Sequence, residues 1–218
     1  MDDPRSGGVA AARFGRRSLL GTAAMGMLLL AGCSRSNMKK LVGTDLKKTP
    51  APDFALTDHV GNHVSLSDFS GRPVALSFIF TNCPDICPLI ASQMRTAYDL
   101  LPEKMRDEAV FLGVSVDPER DTPDAMQEFT ARFALDDVPG WHALWGSRDE
   151  LEAVWRSYGI EATEIEDEVN SHINGSASVA RVRHTDAIYL IDGDGNERVL
   201  MRANDDPQDL ASNLEALS

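Results

Sequence analysis

The segment that most constrains the fold is an apolar run of strand length at residues 73–80, which leads directly into two cysteines. An uninterrupted apolar run of this length is typical of a strand that is covered on both faces. Cys83 and Cys87 follow it, and a helical pattern then runs from about Leu89 to about Leu101. The cysteines are therefore predicted to lie where a buried strand gives way to a helix.

The rest of the chain alternates in the same way between short apolar runs and helical patterns. Two short strands that flank a turn predict an N-terminal hairpin at residues 54–57 and 64–66. Further strands are predicted near residues 110–116, 143–145, 185–192 and 198–202, and helices near 123–133, 149–158 and 206–217. This alternation predicts an α/β fold with a central, mostly parallel sheet flanked by helices. Residues 161–180 are acidic and then small and polar, which predicts an exposed insertion.

The charge balance limits the partners that the protein can bind. The chain has 218 residues and a formal net charge of −13 at pH 7, which opposes binding to nucleic acids. Its hydrophobic fraction of 43% and charged fraction of 25% are ordinary for a globular protein. One folded domain behind an N-terminal targeting region accounts for this length.

The N-terminus has the pattern of an export signal. Arg16 and Arg17 precede an apolar run at residues 19–32, which glycine and threonine interrupt. This run is short for a membrane-spanning helix and fits the apolar part of a cleaved signal peptide. The paired arginines fit both the general secretory route and the twin-arginine route, and the sequence leaves this choice open.

The apolar run ends in Leu-Ala-Gly-Cys, with the cysteine at position 33. This ending resembles the lipobox of bacterial lipoproteins, and the resemblance implies that Cys33 carries a lipid and becomes the new N-terminus. Two acyl chains suffice for stable anchoring in a membrane. We therefore predict a signal peptide at 1–32, a lipid anchor and tether at 33–52, and a folded domain at 53–218 on the extracytoplasmic side of the cell membrane.

Once Cys33 is set aside, Cys83 and Cys87 are the two cysteines that remain in an oxidising compartment. Their spacing places them on one face of a helix or across one turn of a loop. The start of a helix is expected to lower the pKa of a thiol and to raise its metal affinity. A purely structural disulfide fits poorly because so short a loop gains little stability from closure. Redox chemistry and metal binding both stay open.

A metal held by two thiolates needs further ligands, and the chain has five histidines. His59, His63, His142 and His172 each have solvent or packing as a sufficient explanation. His184 differs because it comes immediately before the predicted strand at 185–192. From position alone, a metal ligand and an ordinary surface histidine remain equally open for His184.

Three motifs, at residues 78–88, 115–123 and 184–192, carry a family resemblance. They read Phe-Ile-Phe-Thr-Asn-Cys-Pro-Asp-Ile-Cys-Pro, Ser-Val-Asp-Pro-Glu-Arg-Asp-Thr-Pro and His-Thr-Asp-Ala-Ile-Tyr-Leu-Ile-Asp. Together and in this order they resemble the signature of the Sco/SenC family, over roughly residues 50–218.

The resemblance implies a thioredoxin-like fold and a copper site formed by Cys83, Cys87 and His184. It also implies delivery of copper to the CuA-bearing subunit of cytochrome c oxidase. Two soft thiolates favour Cu(I), and an added imidazole allows Cu(II) to be held as well. A disulfide between Cys83 and Cys87 cannot offer two thiolates, so we expect the protein to need an extracytoplasmic thiol reductant before it can bind copper.

Two other functions use the same residues. A thiol-disulfide oxidoreductase would attack a partner through Cys83 and resolve the mixed disulfide through Cys87. Against it, three residues separate the cysteines instead of two, and no proline immediately precedes the strand after His184. A copper sensor or buffer would bind the metal without transferring it, and the sequence does not separate it from a chaperone.

Overall fold

The computed structural model of the protein describes residues 40–160 and 186–218, together with the backbone of residues 164–165 and 181–182. The predicted signal peptide, the lipidation site Cys33 and the candidate ligand His184 lie outside the described residues. Most of the predicted insertion at 161–180 also lies outside them. Within the described residues, no helix combines the length and the apolar character that crossing a membrane requires.

The elements follow the predicted alternation closely. The strands are β1 (Thr44–Pro50), β2 (Ala55–Asp58), β3 (His63–Ser65), β4 (Val74–Ile79), β5 (Val110–Ser115), β6 (Trp141–Trp145), β7 (Glu164–Ile165), β8 (Arg181–Val182), β9 (Ala187–Ile191) and β10 (Asn196–Arg202). The helices are α1 (Ile86–Leu100), α2 (Glu103–Arg106), α3 (Pro123–Arg132), α4 (Arg148–Ser157) and α5 (Pro207–Leu217). Single 3-10 turns lie at Leu66–Phe69 and Leu135–Asp137.

Eight of the strands form one sheet in the order β1-β10-β9-β4-β5-β6-β2-β3. The pairs β4–β5 and β5–β6 are parallel, and the other five neighbouring pairs are antiparallel. The prediction of a mostly parallel sheet was therefore wrong, and the sheet is mixed. Strands joined by helices form its centre, whereas hairpins and β1 extend both of its edges, and tight hairpins produce antiparallel pairs.

The centre of the sheet confirms the prediction of strands covered on both faces. Every residue of β4 and of β5 is buried. Gly113 lies in β5 because nothing larger fits there: a Cβ atom would stand 2.7 Å from Cδ1 of Ile79 and 2.8 Å from Cη2 of Trp141. Helices α1 and α5 pack against each other, α1 contacts β4, and α5 contacts β9.

Strand β1 lies within the segment predicted as a tether, where no strand was expected. It pairs with β10 at the edge of the sheet, with an irregular register between Asp45 and Thr49. Just before it, the backbone N–H and C=O of Val42 bond the side chain of Asn213, which is buried in α5. Gly43 then turns the chain with a φ of +124°. Strand β1 depends on pairing with β10, about 150 residues away, so no local sequence pattern predicts it.

A buried carboxylate closes each of two hairpins. Asp58 is the last residue of β2, and its side chain accepts the backbone N–H groups of Val60 and Asn62. Asp192 follows β9 and in the same way accepts those of Asp194 and Asn196. These short-range bonds are the Asx-type contacts that stabilise tight turns. Residues 192–196 thus form the tight turn that joins β9 to β10.

Candidate metal and thiol site

The two cysteines lie at the carboxyl end of β4, as predicted. Cys83 precedes α1, and Cys87 lies in the first turn of that helix. Both side chains are thiols, and both are buried: Cys83 is 9% exposed and Cys87 is 0% exposed. The difference in exposure leaves Cys83 as the cysteine nearer to solvent.

Backbone amides hold both sulfur atoms. The N–H of Phe80 donates to Sγ of Cys87 at 3.4 Å, and the N–H of Cys87 donates to Sγ of Cys83 at 3.3 Å. The N–H of Cys83 in turn donates to the carbonyl oxygen of Phe80 at 3.2 Å. Three residues are thus joined in a small ring of contacts. The two sulfurs are brought together by the turn that connects strand to helix, which fits either a shared metal or a reversible disulfide.

The expected lowering of the thiol pKa does not hold for Cys87. Burial raises the pKa of the Cys87 thiol far above its ordinary value, and the contact with Cys83 raises it further. The amide of Phe80 acts in the opposite direction but is outweighed. In this case desolvation of the charged form dominates over the field of the helix start. Burial therefore favours the protonated form of the Cys87 thiol.

A buried carboxylate joins the cysteine segment to the loop that follows β5. Asp121 is 2% exposed. Its Oδ1 accepts hydrogen bonds from the backbone N–H and the hydroxyl of Thr81, both at 2.8 Å. Its Oδ2 accepts the hydroxyl of Ser115 at 2.5 Å. Burial raises the pKa of Asp121, although the bonds from Ser115 and Thr81 oppose this shift. Sequence reasoning missed this role, because the bond joins residues 40 positions apart.

The loop at 117–121 also has contacts of its own. Arg120 pairs with the buried Asp117, whose backbone N–H donates to the hydroxyl of Ser115. Glu119 forms a bidentate pair with Arg148 at the start of α4, where both side chains are exposed. The loop is thus held by the pairing of its own Arg120 with Asp117 and by an ion pair to α4. The contact between Asp121 and Thr81 adds a link to the cysteine segment.

Three of the other histidines are accounted for by the fold or by solvent. His59 accepts the backbone N–H of Ala143 at its Nδ1, and Nδ1 of His142 lies 3.2 Å from Asp58. His63 is exposed. Across residues 40–160 and 186–218, no group of three His, Cys, Asp or Glu side chains is arranged to hold a metal ion.

The register of the sheet shows which segment starts beside the cysteines. Strands β4 and β9 are antiparallel, with Ser77 opposite Ile188, and the hydroxyl of Ser77 donates to the carbonyl oxygen of Ala187. The chain thus enters β9 at the end where β4 leaves the sheet. Asp186 is the first described residue of this entry, two positions after His184.

The pocket of about 220 Å³ that Phe69, Arg72 and Asp192 help to line lies at the opposite end of β4 and β9 from the cysteines. The guanidinium of Arg72 in this pocket donates to the backbone carbonyls of Asp107 and Glu108. Its polar groups serve the fold, so the thiol pair remains the candidate site.

Residues 43–218 match the sequence profile of the SCO1/SenC family. The chain belongs to the SCO1/SenC family. The resemblance drawn from the three motifs is thereby confirmed. The human mitochondrial SCO1 homolog is 31% identical over 191 residues, an alignment that covers 82% of this chain and 58% of the human protein. The chain thus spans less than two thirds of the length of this relative.

Solved Sco structures share the fold. ScoI of Bradyrhizobium japonicum with copper bound is 29% identical, with a TM-score of 0.62, and the match covers 78% of this chain and 100% of that one. BsSco, described as a member of the Sco family of cytochrome c oxidase assembly proteins, is 24% identical with a TM-score of 0.61, and the match covers 82% of this chain and 98% of BsSco. The thioredoxin-like α/β fold that the motifs implied is therefore confirmed, because this chain shares the fold of the solved Sco structures. Its sheet is mixed and not mostly parallel.

Proposed function

We propose that this protein is a membrane-anchored copper chaperone that binds Cu(I) and Cu(II) through Cys83, Cys87 and His184. In this proposal it supports assembly of the CuA site of cytochrome c oxidase. The observation that carries the proposal is the juxtaposition of two buried thiols, with the amide of Cys87 3.3 Å from the sulfur of Cys83. Membership of the family that includes the copper-bound ScoI supports copper as the metal.

The inclusion of His184 draws support from the register of β4 and β9. Asp186 lies at the end of the sheet where the cysteine segment begins, because Ser77 pairs with Ile188. Two residues span at most about 7 Å, so the backbone of His184 stays within that distance of Asp186. This position in the sequence, next to the end of the sheet where the cysteine segment begins, supports His184 as the third ligand.

The donor set suits a carrier. Thiolates select Cu(I), and imidazole extends the set to Cu(II). Three protein ligands leave a position through which a receiving site can take over the metal. Zinc also binds sulfur and nitrogen donors, so selectivity for copper follows from copper's higher place in the order of divalent affinities and from its availability.

Redox state acts as the switch of this site. The reduced pair offers two thiolate ligands to copper, whereas a disulfide between Cys83 and Cys87 would contain no thiolate. Reduction therefore precedes loading, and an extracytoplasmic thiol reductant has to supply it. A lipid on Cys33 would keep the domain at the cell membrane, on the side where a membrane-bound oxidase subunit presents its CuA domain.

The direct test is copper binding by the full chain carrying Cys33→Ala, which leaves Cys83 and Cys87 as the cysteines. After reduction, anaerobic loading and desalting, we expect one copper per chain. His184→Ala should lose the copper or bind it far more weakly, while the exposed His63→Ala serves as the matched control and should retain it. Tight retention by the disulfide form would contradict the redox switch.

A second function is favoured by the unequal burial of the two thiols. Cys83 is the more exposed and Cys87 is fully buried, which is the arrangement of an attacking and a resolving cysteine in a thiol-disulfide oxidoreductase. A Cys87→Ser variant would then trap a mixed disulfide between Cys83 and a specific partner. No copper in the parent protein together with a trapped partner would establish the oxidoreductase in place of the carrier.

A further inference from the structure

The cysteine segment leaves the sheet before it reaches the cysteines. Strand β4 ends at Ile79, whose carbonyl oxygen still accepts the N–H of Val116. Thr81 comes two residues later, beyond the last residue pair between β4 and β5, which is Ile79 with Ser115. Asp121 supplies a hydrogen-bond acceptor in place of the neighbouring strand: one carboxylate oxygen accepts both the amide N–H and the hydroxyl of Thr81.

Asp121 is itself held by further hydrogen bonds to residues of β5 and of the loop that follows it. Its second oxygen accepts the hydroxyl of Ser115, the last residue of β5, and its backbone N–H donates to the carbonyl of Asp117. The carbonyl of Ser115 in turn accepts the indole N–H of Trp155 at 2.9 Å. Thr81 is therefore tied, through one buried side chain, to the end of the neighbouring strand.

We propose that Asp121 is a positioning residue for the cysteine site, acting through Thr81. By fixing Thr81, it fixes the path of the two residues that lead to Cys83, and with it the approach of the Cys83 sulfur to the amide of Cys87. The proposal takes copper as the ligand from the proposed function, but the thiol-disulfide equilibrium of the pair tests the positioning without any metal.

The thiol-disulfide equilibrium distinguishes a positioning role of Asp121 from a purely structural one. Destabilisation shared by the reduced and the oxidised folded forms cancels in the equilibrium between them, whereas a change in how the dithiol is held does not. The structure shows the network intact with both cysteines reduced. Loss of the network should therefore disfavour the dithiol relative to the disulfide.

The experiment compares three variants of the full chain carrying Cys33→Ala. Asp121→Ala removes all the bonds to Thr81. Asp121→Asn keeps an oxygen that can accept the Thr81 amide and hydroxyl, and is the conservative rescue. Asp192→Ala is the matched control, because Asp192 is also a buried carboxylate but closes a hairpin at the other end of β9. The readouts are the Cys83–Cys87 equilibrium against glutathione and the Cu(I) affinity in competition with a chelator.

For Asp121→Ala we expect about a tenfold shift toward the disulfide, equal to about 30 mV for a two-electron couple, and about a tenfold loss of Cu(I) affinity. Asp121→Asn should stay within about threefold of the parent in both. Asp192→Ala should shift neither, although it lowers stability. If Asp121→Ala does not fold, Thr81→Val removes the hydroxyl bond alone and should shift the disulfide equilibrium about threefold in the same direction.

The proposal is overturned if Asp121→Ala, or Thr81→Val in its place, leaves the disulfide equilibrium within experimental error of the parent. It is also overturned if Asp192→Ala produces the same shift. A parent protein that binds no Cu(I) would instead refute the proposed function, and the disulfide equilibrium would still decide the role of Asp121.

Discussion

Asp121 and Asp192 are both buried carboxylates, but they are held in opposite ways. Within the described residues, the carboxylate of Asp192 bonds groups no more than six positions away: backbone N–H groups, the amide of Asn196 and the guanidinium of Arg198. Asp121 bonds two hydroxyls and one amide, and its bond to Thr81 crosses from one strand end to the next. At the hairpin end of the sheet the carboxylate of Asp192 thus holds a local turn, whereas at the cysteine end the carboxylate of Asp121 joins distant segments.

The two carboxyls also differ in pKa. Burial raises both, but at Asp192 the hydrogen bonds from Asn196 and the charge of Arg198 outweigh burial, and its pKa is lowered. At Asp121 burial prevails and the pKa is raised. A carboxylate with a cation beside it stabilises the fold at neutral pH. The described donors to the Asp121 carboxylate are neutral, so burying its charge costs free energy, which fits a role in the site more than a role in stability.

The largest effect expected at the cysteine end is the loss of copper on removal of one sulfur. Cys87→Ser should weaken Cu(I) binding by at least about 100-fold, because an alcohol does not replace a thiolate as a ligand for soft Cu(I). The affinity is measured by competition with a chromophoric Cu(I) chelator. Asp192→Ala serves as the control at the hairpin end and should remain within about twofold of the parent. An affinity of Cys87→Ser equal to that of the parent would remove Cys87 from the site.

At the hairpin end the expected loss is one of stability. Asp192→Ala should lower the free energy of unfolding by about 2 kcal/mol, because Arg198 and two turn amides lose their acceptor. Urea denaturation measures this change. Asp194→Ala is the matched control in the same turn: its side chain is 77% exposed and pairs with the exposed Lys48, so a change below about 0.5 kcal/mol is expected. Equal losses in both variants would contradict the role of Asp192.

The pH dependence of stability should have opposite signs at the two ends. The lowered pKa of Asp192 means that its stabilisation is present above the unfolded value of about 3.9 and is lost as pH falls through the folded pKa. The raised pKa of Asp121 means that its contribution is present below about 3.9 and is lost as pH rises through the folded pKa.

Urea unfolding from about pH 2.5 to pH 7 tests these signs with Asn variants. The stability of the parent relative to Asp192→Asn should rise as pH rises. For Asp121→Asn, the stability of the parent relative to the variant should fall as pH rises. Curves that run parallel to the parent for both variants would show that neither carboxyl titrates differently in the folded state.

The smallest effect is expected at an exposed ion pair on the cysteine side. Arg148→Ala breaks the bidentate contact with Glu119, where the two side chains are 43% and 54% exposed. Because solvent screens such pairs, the free energy of unfolding should change by less than about 1 kcal/mol. The Cys83–Cys87 disulfide equilibrium should not move. A shift as large as that of Asp121→Ala would place the control of the cysteine segment in the exposed part of the loop.

The sequence predicted the elements that depend on local pattern. The buried strands β4 and β5, helix α1 behind the cysteines and the strands on either side of the Asp192 turn all follow from apolar runs and helical periodicity. It did not predict β1 or the mixed order of the sheet, because strand pairing depends on contacts between distant segments. Nor did it predict the raised pKa of Cys87, which depends on how deeply the first turn of α1 is buried.

The candidate site shows the same division. The spacing of Cys83 and Cys87 and the family motifs identified the thiol pair, and the structure brings the two together. The role of Asp121 was not predicted, although it stands in a motif that the sequence singled out. Its contact with Thr81 requires that two parallel strands end side by side. His184 stays a prediction that rests on the resemblance and on the register of β9.

The most direct test of the central claim is X-ray absorption at the copper edge of the anaerobically loaded full chain carrying Cys33→Ala, with and without His184→Ala. The three-ligand site predicts two sulfur neighbours and one nitrogen neighbour in the parent, and two sulfur neighbours with that nitrogen lost in the variant. Copper with fewer than two sulfur neighbours in the parent, or an unchanged nitrogen neighbour in His184→Ala, would contradict the site formed by Cys83, Cys87 and His184.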